Sequence, residues 1–247
     1  MAGHSKWANI KHRKGRQDAA RGKLFAKLAK AIETEARKGG GDPDANYALA
    51  AAVSKAKAVS MPSDNILRAI KRGTGESAGV AYDEFWYEGY APGGVAVYVQ
   101  VLTDNRRRAA ADVRAVFTRN GGSLGEPGSV GYLFQPKGLI AAAGDEDDVL
   151  LAALEAGAED VRETGDSWEV ITPPRAMAGV RAAMEESGLA VESAELTQLP
   201  ISEVAVDQRT APRVLRLVDA LEDLDDVQSV FSNFEISDQI LEALAGP

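Results

Sequence analysis

The stretch that decides the fold runs from Val95 to Gly122, VAVYVQVLT-DN-RRRAAADVRAVFTRNGG. Its first nine residues alternate and are rich in β-branched side chains, which is the pattern of a strand. From Arg106 onward the period becomes helical, and Gly121 and Gly122 close the helix. VGYLF (130–134) then reads as a second strand, which completes a strand–helix–strand unit. A comparable unit stands at the far end: ISEVAVD (201–207) as strand, APRVLRLVDALEDLDD (211–226) as helix and VQSVFSNFEI (227–236) as strand. Two such halves make the split arrangement of a ferredoxin-like sheet.

The segment between the halves carries a complete pattern of its own. KGLIAAA (137–143) is a strand, DEDDVLLAALEAG (145–157) a helix, and AEDVRE-TGDS-WEVITP (158–173) a hairpin. PRAMAGVRAAMEESG (174–188) is a second helix and LAVESAELTQL (189–199) a closing strand. The order β-α-β-β-α-β is again ferredoxin-like. Upstream, DAARGKLFAKLAKAIETEARKGGG (18–41) places Leu24, Leu28 and Ile32 four apart, a buried helical stripe, and Gly39–Gly41 end that helix. DPD starts another helix, with Asp42 expected as N-cap and Pro43 at the first helical position, and a third follows SMPSDN, burying Ile66, Leu67 and Ile70. The expected fold class is therefore α+β: a basic helical bundle over 1–80 and two ferredoxin-like α/β sandwich domains. One is discontinuous, over 81–135 and 201–247, and the other is inserted into it over 136–200.

Charge is distributed unevenly. The chain of 247 residues has a net charge of −9. Residues 1–80 nevertheless hold 16 lysines and arginines against 7 carboxylates, and the remainder holds 12 against 30. A basic module on an acidic body points to a polyanionic partner, because neutralising phosphates releases counterions. Cysteine is absent, which excludes disulfides, thiolate metal sites and cysteine nucleophiles. No secretory signal and no run of the roughly 20 apolar residues that span a bilayer is visible, so the expected location is the cytoplasm, without membrane.

Catalytic motifs are missing as well: there is no phosphate loop, no HExxH and no GxSxG elbow. The acidic run Asp145–Asp148 precedes an apolar helix, where carboxylates suit the helix dipole. No cofactor, no metal and no enzymatic step are expected, and Asp104 with Glu88 is the one carboxylate pairing to check. The candidate binding residues are cationic. Lys6, Lys11, His12, Lys14, Arg16, Arg21 and Lys23 crowd the opening stretch around Trp7, which can stack on a base or plug the bundle. Lys23, Lys27 and Lys30, spaced four and three apart, are expected to line one exposed helix face. Arg106, Arg107 and Arg108 project from a helix start that Asp104 or Asn105 can cap, and phosphate contact is their natural use.

Several stretches taken together resemble one family. MAGHSKWANIKHRKGRQDAARGKLFAKL (1–28), GGGDPDAN (39–46), MPSDNI (61–66), AIKRGTGE (69–76), YEGYAPGGVAVYV (87–99), TDNRRR (103–108) and NGGSLGEPGSVGYLF (120–134) are similar to the YebC/PmpR family, which includes the mitochondrial translational activator of cytochrome c oxidase. The resemblance implies three domains, the third inserted in the second, and a cytoplasmic, non-enzymatic regulator of gene expression. It leaves two accounts open: a DNA-binding transcriptional regulator, or a ribosome-associated factor that relieves stalling, for example at proline runs. The family pattern after TDN usually alternates Arg and Asn and ends in Thr. Here it reads Arg106-Arg107-Arg108-Ala109, which implies more electrostatic and less specific binding.

The residues themselves favour RNA. Lysine binds phosphate as a point charge and lacks the fork that reads guanine, so a lysine-rich face suits backbone and shape recognition. The expected partner is ribosomal RNA, with DNA as the alternative and a protein-interaction scaffold as a third reading, and the protein is expected to be a monomer.

Overall fold

The computed structural model describes residues 19–165, 167–237 and 239–240. They form two compact units. One contains residues 19–30, Val80–Gln135 and 199–240, and the other Ala31–Gly79 and Pro136–Gln198. The chain thus leaves the first unit after Gln135 and returns to it at Leu199, as an insertion requires.

The first unit is organised by an antiparallel hairpin of β1 (Asp83–Ala91) and β2 (Val95–Thr103), in register from Asp83 opposite Thr103 to Ala91 opposite Val95. Its turn needs Gly93 and Gly94, at φ +85° and +77°, a region that other residues enter at a cost. Helix α4 (Arg106–Arg119) follows β2 and leads to the short β3 (Ser123–Leu124). After the insertion, α7 (Ala211–Glu222) leads to β9 (Val227–Ser232). The sheet order is β3-β1-β2-β9. Alternation sends Val95, Val97, Val99 and Val101 to one face, where they are buried under Val113 and Phe117 of α4 and Val214, Leu217 and Leu221 of α7. A two-stranded parallel pair, β8 (Val204–Ala205) with β10 (Phe234–Glu235), completes the unit.

In the second unit, β4 (Phe134–Ala143), α5 (Glu146–Glu155), β5 (Asp160–Thr164), β6 (Ser167–Thr172), α6 (Met177–Glu186) and β7 (Ala190–Pro200) follow the expected order and form a sheet β5-β6-β4-β7. Ile140, Val149, Ala153, Val170, Val180 and Met184 make its core, joined by Ala51 of the helical segment. That segment comprises the later half of α1 (Ala19–Gly39), α2 (Tyr47–Ala58) and α3 (Ser63–Gly73).

The α+β class, the helices at the start of the chain and the two sheet domains agree with the sequence. Both sheets share one plan: the strand after the first crossover helix lies at one edge and the strand after the second at the other. In the first unit, however, the strands are not those the periodicity indicates. Residues 130–134 form a short 3-10 turn (Gly131–Leu133) and the beginning of β4, and 201–207 yields only the two residues of β8. β1 takes the vacant place. Its sequence DEFWYEGYA lacks clean alternation because both of its faces are partly covered, and Gly89 sits so close to Phe117 that a Cβ would lie 2.7 Å from the ring.

Two details of the helices also differ from expectation. The N-cap of α2 is Asn46, whose Oδ1 accepts from Leu49 N at 3.1 Å, while Asp42 and Pro43 lie in the preceding turn. Asn46 wins because its amide also donates to the carbonyls of Glu35 and Gly40 at 2.8 and 3.0 Å, tying the end of one helix to the start of the next. Leu67, expected inside, is 55% exposed, since α3 is anchored instead by Ile66, Ala69 and Gly73.

Candidate nucleic-acid interface

Of the candidate residues, Lys6, Trp7, Lys11, His12, Lys14 and Arg16 lie outside the described residues. Arg21 is exposed on the first turns of α1. The three lysines that follow do share a helix face, as their spacing requires, but that face is not open. Lys23 donates to the carbonyl oxygen of Asp223 and pairs with the Asp225 carboxylate at 3.0 Å. Lys27 donates to the carbonyl of Glu222 at 2.5 Å. Lys30 bonds Asp226 Oδ1 at 3.0 Å and the Asp225 carbonyl at 3.3 Å, and its ammonium lies 5.3 Å from the centre of the Tyr82 ring. The expectation of a freely exposed lysine face is corrected here, and the reason is physical. Helix α7 ends at Glu222 and is followed by Asp223-Leu224-Asp225-Asp226, so unsatisfied carbonyls, the negative end of the helix dipole and several carboxylates coincide, and long cationic side chains satisfy all three. Burial, reinforced by neighbouring Lys23, lowers the Lys27 ammonium from its ordinary 10.5 to about 8.

Arg106, Arg107 and Arg108 meet three different fates at the start of α4. Asn105 caps the helix, its Oδ1 accepting from Arg108 N at 3.1 Å. The Arg106 guanidinium stacks on Phe85, 3.6 Å from the ring centre. Arg108 is bound on two sides, at 2.8 Å to Asp226 and 2.8 Å to Asp104. Arg107 is exposed and has no hydrogen-bond or ion-pair partner among the described residues.

Asp226 is the hub that the sequence did not single out. It is 8% exposed and accepts from Lys30, from Arg108 and, at 3.0 Å, from the Thr103 hydroxyl. Burial pushes its carboxyl upward, but the hydrogen bonds from Arg108, Lys30 and Thr103 outweigh that and hold it below the usual carboxylate range. Around the hub lies a cleft of about 630 Å³ whose lining mixes Lys23, Lys30 and Arg108 with Asp104, Asp112 and Asp225. With Asp223 and Asp226 also in the lining, five carboxylates face three cations, so the cleft is net acidic and does not suit a polyanion.

Glu88, which the sequence offers only as a carboxylate to check against Asp104, has a structural duty. Its carboxylate accepts from the backbone N–H groups of Gly128, Val130 and Gly131 at 2.6–2.7 Å, which fixes the glycine-rich loop over the sheet face opposite α4 and α7. Burial opposes its charge, but these donors prevail and keep it below the ordinary carboxylate range. Asp104 is engaged with Arg108, so each carboxylate has its own structural duty and they form no acid–base pair. The signal in the sequence was a lone Glu between Tyr87 and Tyr90 in a half-buried strand, a charge that had to be satisfied from outside that strand. Trp86, Tyr98 and Phe231 stack on that same sheet face at 4.3 and 6.1 Å between centres, so their rings serve one another. The acidic run near residue 145 is a capping device: Asp145 caps α5 by accepting from Asp147 N at 3.1 Å.

Fold and site together describe an α+β protein whose cations are mounted on helices backed by antiparallel sheets. Among the described residues no three potential ligands cluster to hold a metal ion, and no helix is long and apolar enough to cross a membrane. Comparison with known proteins then specifies the kind. Residues 5–76 match the TACO1/YebC protein N-terminal domain and residues 82–234 match the TACO1/YebC second and third domain. The chain belongs to the TACO1/YebC family. It is 55% identical to a protein of Rubrobacter xylanophilus over the full length of both chains, and 57% identical to one of Thermobifida fusca over 98% of each. Both relatives carry the name "Probable transcriptional regulatory protein". A crystal structure of a conserved hypothetical protein from Aquifex aeolicus superimposes with a TM-score of 0.80, at 47% identity over 91% of this chain and 94% of that one.

Proposed function

We propose that this chain is a non-enzymatic, nucleic-acid-binding regulator of gene expression that acts in the cytoplasm as a monomer, docking on ribosomal RNA to relieve stalled translation. The names of its relatives support the coarser part, regulation through nucleic acid. The observation that carries the reading is the α4 junction, where a capped helix fixes Arg106 and Arg108 and leaves Arg107 directed outward without a partner among the described residues. Such a fork on a rigid mount suits a phosphate. The amino-terminal stretch, with Lys6, Trp7, Lys11, His12, Lys14, Arg16 and Arg21, supplies the main contact in this reading. Lys23, Lys27 and Lys30 join only by exchanging their bonds to residues 222–226 for phosphate oxygens. The three-domain division at 80, 135 and 200 belongs to the same proposal.

The relatives' names favour a second reading, binding to DNA as a transcriptional regulator. Sedimentation of a gentle lysate after DNase or RNase treatment separates the two. Migration with ribosomes that survives DNase and is lost with RNase is the expected result. Protein free of ribosomes, and released from chromosomal DNA by DNase, would replace the translation reading with the transcriptional one.

A further inference from the structure

Lysine is absent from 80–135 and 199–240: every cation there is an arginine, and each lies on α4, on α7 or in the turn before α7. Arg106 and Arg108 are committed to Phe85 and Asp226, and Arg209 stands beside the Asp207 carboxylate. The rest are exposed: Arg107, Arg114 and Arg119 on α4, Arg213 and Arg216 on α7. None of these five has an ion-pair partner among the described residues, and Arg216 reaches only the carbonyl of Pro212 in its own helix, at 3.1 Å.

The two helices lie side by side and antiparallel. The start of α4 is joined to the residues just after α7 through Arg108 and Asp226. At the other end, the Arg213 guanidinium reaches the turn after α4, where a Cβ on Gly121 would lie 3.0 Å from Nη2. Arg107 and Arg114 are two helical turns apart on one row, and Arg213 and Arg216 one turn apart on the other. Val113, Val116 and Phe117 under the first row, with Val214, Leu217 and Val218 under the second, hold both rows on the sheet. Of the nearby carboxylates, Asp226 is occupied by Lys30 and Arg108, Asp225 by Lys23, and Glu88 by the loop on the opposite sheet face, while Asp112 on α4 is exposed and forms no ion pair with these arginines.

We infer that the outer face of α4 and α7 is a second RNA-binding surface, a pair of arginine rows that contacts phosphates of a double-helical segment. It rests on the proposal that the partner is RNA, and extends it from the α4 junction to a surface. Unpaired arginine forks held on a rigid layer are repulsive toward one another until a polyanion neutralises them. Two adjacent rows suit the phosphates on either side of the shallow minor groove of A-form RNA, which is recognised by shape and backbone.

The test uses the full chain and a plain RNA hairpin with a 20-base-pair stem. Dissociation constants are measured across a KCl series for wild type, for R114Q/R213Q/R216Q and for R114K/R213K/R216K. The glutamine variant is expected to bind at least tenfold more weakly at about 0.1 M salt, and to lose about 2–3 from the slope of log K against log salt. The lysine variant keeps the slope. Unchanged affinity and slope in the glutamine variant, or a lysine variant that loses the slope equally, overturns the arginine surface. Wild type that ignores the hairpin but binds a DNA duplex of the same length instead defeats the RNA reading itself. Circular dichroism spectra and thermal midpoints equal to wild type show that the variants are folded.

Discussion

Two cationic surfaces of the same unit can be compared directly: the lysine face of α1 and the arginine face of α4 and α7. Both are stripes at helical spacing, and by sequence they look alike. In the structure the lysines are consumed by the end of α7, through Glu222, Asp223, Asp225 and Asp226, while Arg107, Arg114, Arg119, Arg213 and Arg216 form no ion pair among the described residues. A charge that holds a fold together and a charge that waits for a ligand differ in where the anion comes from. Sequence spacing places cations on a face; only the tertiary partner says whether that face is vacant.

That contrast predicts different consequences for similar charge changes. The largest effect is expected for Asp226→Asn, which leaves Lys30 and Arg108 facing a neutral amide and should cost about 3 kcal/mol in urea unfolding. Its pH dependence follows from linkage. The folded carboxyl lies below its unfolded value of about 3.9, so its contribution is complete above that value and is lost as the pH falls through the folded one. The stability gap between wild type and this variant should therefore close below about pH 4, and a gap that persists at pH 2 would show that Asp226 acts by packing alone.

Lys27 provides a subtler check with a slope of the same sign in the alkaline range. Its folded value of about 8 is below the unfolded 10.5, so between them the unfolded chain holds the extra proton and wild type gains stability as pH rises. Lys27→Met should remove that rise, as read from melting midpoints between pH 7.5 and 10. Asp225→Asn should leave the fold intact and remove the one carboxylate paired with Lys23, whose ammonium then keeps only the Asp223 carbonyl. RNA affinity then increases about 1.4- to fivefold, the equivalent of the roughly 0.2–1 kcal/mol of an exposed ion pair. No increase would mean that the lysine face is structural only. The smallest effect on stability belongs to the arginine face: Arg114→Gln and Arg216→Gln should leave the melting midpoint unchanged, because neither guanidinium bonds another side chain among the described residues.

Much of the fold was legible because period-2 and period-3.6 patterns survive wherever an element has one buried and one open face. The inserted domain shows this throughout, from β4 to β7. β1 was unreadable for the converse reason, since aromatic side chains and Glu88 cover its second face and erase the alternation. The helix caps divide in the same way. Asn105 and Asp145 act on their own helices, and local sequence narrowed the first cap to Asp104 or Asn105 and placed the acidic run at the second helix start, whereas Asn46 was chosen by carbonyls at Glu35 and Gly40.

The sequence by itself determined the α+β class, the helices at the start of the chain, the inserted sheet and the gathering of positive charge toward the amino terminus, because these depend on local period and composition. Tertiary structure alone decided which cations are free. Lys30 and Asp226 are nearly two hundred residues apart in the chain yet 3.0 Å apart in space, and no pattern along the sequence encodes that meeting. Ion pairs form through the packing of elements, and packing is settled by apolar surfaces elsewhere, here the valines of β2 against α4 and α7.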